Sequence, residues 1–94
     1  MPITVTPLPG ADPLVFDVAV AEGRGATRHR VTMSAADCKR LSGGATPEQM
    51  VEAAFRFLLD REPKESILSS FDVRVIARYF PEFERELPRY LAAR

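Results

Sequence analysis

The stretch LVFDVAVAEGRGATRHRVTM, Leu14 to Met33, decides the fold. Leu14, Phe16, Val18 and Val20 recur at period two and share one face, with Val15, Asp17, Ala19 and Ala21 on the other. Glu22, Gly23, Arg24 and Gly25 are turn residues, and alternation resumes from Ala26 to Met33. A loop of those four residues sets Ala21 opposite Ala26, Val20 opposite Thr27, Val18 opposite His29, Phe16 opposite Val31 and Leu14 opposite Met33. The same register sets Asp17 against Arg30 on the reverse face. A slip of one residue would move every side chain of one strand to the wrong side, so the pattern specifies the pairing.

A lone hairpin is marginal in water, and its apolar face needs a cover. Residues 34–94 supply one in the form of helices. Ser34, with Asp37 three residues on, begins a short helix carrying Cys38 and Leu41, which Gly43 and Gly44 stop. Thr46-Pro47-Glu48-Gln49 is the cleanest helix start in the chain: a capping hydroxyl, a proline at the first helical position and a glutamine to close the box. That helix is predicted to reach Asp60. Glu48, Glu52, Arg56 and Asp60 make one narrow polar stripe, and nearly everything else on it is apolar, the mark of a central helix. Beyond Pro63 the pattern predicts a short helix over Lys64–Ser69 with Ile67 and Leu68 inward. Asp72 then caps another, Val73–Phe80. After Pro81, Phe83, Leu87, Tyr90 and Leu91 share a face, and Pro88 is expected to kink or split this last segment.

On the other side of the hairpin, residues 1–13 hold four prolines and Gly10. They read as an irregular arm, or as an edge strand where Ile3 to Thr6 alternates. The expectation is one α+β domain spanning residues 1–94, a hairpin at 14–33 packed against a mainly helical second half. At 94 residues, with 46% hydrophobic and 28% charged side chains, the chain can bury a single core without staples.

Thirteen basic and thirteen acidic residues leave no net charge, so no bulk field draws in a polyanion. Eleven of the basic residues are Arg, a choice that suits phosphate or carboxylate recognition but also follows from a GC-rich coding sequence, as do the twelve Ala. The lone Cys38 cannot form an intrachain disulfide, and no stretch approaches the ~20 apolar residues of a membrane span. The opening MPITVTPLPG has neither a basic start nor a long apolar run. The expected setting is cytoplasmic, with no membrane partner.

The candidates for chemistry are few. His29 and Cys38 are the only residues of their kinds, so a Cys–His nucleophilic pair would have to be these two. They are more simply a hydrogen-bonded histidine and a small buried hydrophobe. A zinc site needs four ligands, and one His with one Cys falls short. Gly23 and Gly25 begin a dinucleotide fingerprint, but the third glycine is missing and a strand follows. Glu82, Glu84 and Glu86 fit a solvated helix start better than a pair of general acids. No enzyme, cofactor or metal is expected.

Two binding readings stand. In the first, the chain is a protein-interaction module or homodimer. A small sheet has edges that recruit strands, and Tyr79, Phe80, Phe83 and Tyr90 offer aromatic surface, although capping the core is their simpler use. In the second, Arg28 and Arg30 on the outer hairpin face join Arg74 and Arg78, one helical turn apart, in a phosphate-binding patch beside a β-ribbon, a layout like a winged nucleic-acid binder. Against it, Asp17 should neutralise Arg30, and no aromatic residues alternate with the basic ones.

The run FRFLLDREPKESILSSFDVRVIARYFPEFE, Phe55 to Glu84, is similar to a segment of small bacterial proteins of about this length that carry no assigned activity. With the hairpin, the resemblance covers most of the chain beyond residue 13. It implies a bacterial source and brings no site residues with it.

Overall fold

In a computed structural model, which describes residues 3–92, the chain runs β1 (Ile3–Leu8), β2 (Leu14–Glu22), β3 (Gly25–Met33), α1 (Ala35–Ser42) and α2 (Pro47–Leu59). A 3-10 turn (Lys64–Ser66), β4 (Ser70–Asp72), α3 (Arg74–Tyr79) and α4 (Phe83–Ala92) complete it. The strands form one sheet in the order β1-β2-β3-β4. The fold is α+β.

β2 and β3 pair antiparallel in the register that their alternation dictates, from Leu14 opposite Met33 to Ala21 opposite Ala26. Pairing extends one step further, Glu22 to Gly25, so the loop is the two residues Gly23 and Arg24 and not four. Gly23 takes φ 63°, and among the described residues none other than glycine has positive φ. A positive angle at the first central position alone is the sign pattern of a II′ turn, whose twist matches the strands it joins. Ile3–Leu8 forms the edge strand, pairing antiparallel with β2. As an edge strand it can hold Pro7, which has no amide to give to a neighbour.

Phe16, Val18, Val20, Val31 and Met33 turn to the helical side, where each is at most 1% exposed. They meet α2, of whose thirteen residues Met50, Val51, Ala53, Ala54, Phe55, Phe57 and Leu58 are buried. α2 starts as its sequence requires. The Gln49 amide donates to Thr46 Oγ1 (3.1 Å) and the Thr46 amide donates to Gln49 Oε1 (3.0 Å), which satisfies two orphan donors at once. Thr46→Ala is expected to cost about 1 kcal/mol. In a domain this size that lowers the melting temperature by roughly 4–8 °C, which thermal circular dichroism would register. α1 opens with the Asp37 amide donating to Ser34 Oγ and closes on left-handed Gly43, as expected.

Three features of residues 34–94 depart from the helical reading. Ser70–Asp72 is a strand, parallel to β3 through Arg30–Ser70, Val31–Phe71 and Thr32–Asp72. A parallel neighbour needs a long crossover, and α1 and α2 provide it. Of the expected helix over Lys64–Ser69 only Lys64–Ser66 is helical, and Ile67 is already extended (φ −75°, ψ 133°). Extended backbone alternates its side chains, so Ile67 is buried while Leu68 is 48% exposed, correcting the expectation that both point inward. Pro88 does not split α4, because Phe83, Leu87 and Leu91, four residues apart, are all buried and hold the helix down on both sides of it.

Candidate functional site

Where the end of α2, the extended strand lead-in and α3 converge, a cleft of about 350 Å³ opens. Leu58, Ile67, Phe71 and Ile76 form its buried base, and Glu62 and Ser66 add polar atoms to its wall. Leu68 and Tyr79 stand on its rim. At 48% and 67% exposure, they are the exposed large hydrophobic residues among the described ones, and both belong to this cleft.

The base is held from several directions. Phe71 packs on Phe55 (6.0 Å between ring centroids), and Phe80 meets Phe57 edge-on at 5.9 Å. His29 Nδ1 lies 2.8 Å from the Leu68 carbonyl, to which it must donate, because a carbonyl only accepts. In the neutral ring, Nε2 then accepts from Thr27 Oγ1 at 2.8 Å. The Arg30 amide donates to the Ser69 carbonyl at 2.7 Å. Leu68 is thus an exposed side chain on a fixed backbone.

Glu62 brings a carboxyl to the cleft, and burial raises it above the ordinary range. No described cation reaches it. Arg61 turns away to Glu82 (3.0 Å), the Phe57 carbonyl (3.2 Å) and the Tyr90 hydroxyl (3.3 Å), and lies 3.7 Å above the Phe57 ring. Lys64 pairs with Glu65 at 2.6 Å.

The four arginines of the nucleic-acid reading do not form a free positive patch. Arg30 pairs with Asp17 at 2.6 Å on the outer sheet face. Arg74 is drawn to Asp72 (3.2 Å) and Asp37 (3.7 Å). Arg28 and Arg78 are exposed and without an ion pair among the described residues, one on β3 and the other on α3. Asp72 anchors its corner of the sheet. Burial pushes its carboxyl up, but the Arg74 amide, the Thr32 hydroxyl and the Arg74 guanidinium together hold it below the ordinary range. A depressed carboxylate contributes stability that is present above its unfolded value, about 3.9, and is lost as pH falls through the folded one. Asp72→Asn is therefore expected to reduce stability at neutral pH and to flatten its decline below about pH 4, as read by urea unfolding across pH.

His29 and Cys38 do not meet as a catalytic pair. Both ring nitrogens of His29 are bonded elsewhere, and burial, then the charge of Glu48, raises the Cys38 thiol, the reverse of what a nucleophile needs. Glu82, Glu84 and Glu86 are each held by an arginine: Arg61, Arg40 and Arg89. Among the described residues, no cluster of His, Cys, Asp and Glu could hold a metal ion, and no helix is long and apolar enough to cross a membrane. Of the four terminal aromatics, Phe83 is buried and Phe80 and Tyr90 are half-buried against Phe57, leaving Tyr79 as surface.

Sequence reasoning did not single out Glu62, and it placed Leu68 in the core. The one signal in the chain was the apolar Leu68 between Ile67 and two serines, which reads outward if the segment is extended. Comparison with protein-family models, curated proteins and solved structures returns no match.

Proposed function

We propose that this chain is a non-enzymatic module of the bacterial cytoplasm that binds a protein partner, with the cleft between β4 and α3 as its docking surface. The observation that carries this reading is the coincidence of the exposed Leu68 and Tyr79 with the rim of one apolar cleft. Isolated exposed apolar side chains need no explanation, whereas two around a concave apolar base mark an interaction surface. The rigid backing of the cleft supports the same reading, since a preformed site spares a partner the cost of ordering it.

The alternative, a nucleic-acid surface built from Arg28, Arg30, Arg74 and Arg78, has less support because carboxylates hold two of the four. Site-specific photo-crosslinking in the source cells separates the two readings. A crosslinker at position 79 should trap discrete protein adducts that survive nuclease, and one at position 28 should trap none. Nuclease-sensitive adducts from position 28, or a silent position 79, would refute the proposal.

A further inference from the structure

The cleft lies beside the open edge of the sheet. Arg30 donates its amide to the Ser69 carbonyl, and Val73 donates its own to the Thr32 carbonyl. Residues 69, 71 and 73 therefore face β3, and strand alternation turns the backbone N–H and C=O groups of Ser70 and Asp72 toward the open side. Strand groups turned away from β3, next to an apolar cleft, suit an extended peptide, whose main chain bonds the edge while a side chain fills the cleft. A small molecule would leave those edge groups unused.

Glu62 fixes the chemistry of the occupant. It is partly withdrawn from water, it faces apolar side chains, and both neighbouring cations, Arg61 and Lys64, are engaged elsewhere. A carboxylate partly withdrawn from water gains more from a cation that meets it than a fully solvated one does. Building on the interaction reading above, we infer that the cleft takes an extended segment of a partner protein carrying an apolar side chain and a Lys or Arg two residues apart. That spacing puts both side chains on one face of a strand, the first in the cleft and the second at Glu62.

The test is selection of random displayed peptides on the intact chain, followed by affinity measurement against Glu62→Gln and Leu68→Ser variants. Peptides with an apolar residue and a Lys or Arg at the i, i+2 spacing should be enriched. Glu62→Gln should weaken them by on the order of tenfold, and salt should weaken them on the unmodified chain. Leu68→Ser should weaken them as well. The Glu62→Gln protein should melt no lower than the original, which separates lost recognition from lost folding.

Apolar peptides without a cation, or equal affinity for Glu62→Gln, would overturn the charge assignment and leave the interaction surface standing. Equal occupancy of the cleft by a simple polyamine would overturn the peptide assignment. A dimer in sedimentation that Tyr79→Asp dissociates would make the occupant a second copy and refute the inference, though not the interaction reading. No enrichment, with a strict monomer, would remove both.

Discussion

Phe57→Ala is expected to destabilise the domain by about 3–5 kcal/mol. Phe57 is fully buried on α2 and is the meeting point of the C-terminal third. The rings of Phe83, Tyr90 and Phe80 approach it edge-on at 5.1, 5.8 and 5.9 Å, and the Arg61 guanidinium lies 3.7 Å above its face. Alanine removes the whole ring from a space that three other rings line, and two of those sit on α4, whose own buried residues leave it little freedom to collapse inward. The cost is therefore transfer energy plus an unfilled cavity. Against a total of roughly 5–14 kcal/mol for a domain of this length, that is a large share. The melting temperature should fall by about 15–30 °C. Phe57→Leu, which keeps most of the volume, should cost under about 1.5 kcal/mol, and Tyr79→Ala on the exposed rim should stay within about 0.5 kcal/mol. Urea unfolding of the three variants checks the order. A Phe57→Ala cost below that of Phe57→Leu would mean that α4 does not dock through this ring. Because Phe80 leans on Phe57 and lines the cleft, the same variant should also weaken any ligand of that surface, whereas Tyr79→Ala should do so without touching stability.

The hairpin and the central helix were legible because both write their geometry into adjacent residues. Period-two alternation on either side of Gly23 leaves only one register that buries Phe16 and Val31 together. Thr46, Pro47 and Gln49 specify a helix start by local bonds alone. β4 is different. It is three residues long, and its partner lies about forty residues earlier, so nothing within Ser70–Asp72 distinguishes a strand from a helix cap. Asp72 accepts the Arg74 amide from the end of a strand, but the N-cap position of α3 is Val73, which has no side-chain capping bond. That Pro88 does not split α4 has a related reason: its local penalty of about 3 kcal/mol is visible in the sequence, while the burial of Phe83, Leu87 and Leu91 that offsets it depends on α2. The cleft was least legible of all. Leu58, Leu68, Phe71 and Tyr79 come from four segments, and only the extended backbone after the 3-10 turn, unreadable from KESILSS, turns Leu68 outward.

His29→Leu is expected to cost about 1–3 kcal/mol even though it replaces a polar core residue with an apolar one of similar size. His29 is 4% exposed and rests against Phe55 with ring centroids 5.3 Å apart, so leucine can occupy the space. It cannot replace the two hydrogen bonds. Thr27 is half-buried and its hydroxyl can turn to water. The Leu68 carbonyl loses its donor at the point where the chain enters β4, in a part-buried position where water replaces that bond only in part. The loss falls on the segment that shapes the cleft. The Phe71 and Val73 amides, which hold β4 to β3, should exchange with solvent much faster in His29→Leu, while amides in the middle of β2 change only by the drop in global stability. Hydrogen exchange read residue by residue separates these behaviours. Uniform acceleration across the sheet would mean that His29 contributes to packing alone. Protection at Phe71 and Val73 lost ahead of the rest would identify this ring as the tie that keeps the β4 edge, and the cleft beside it, in place.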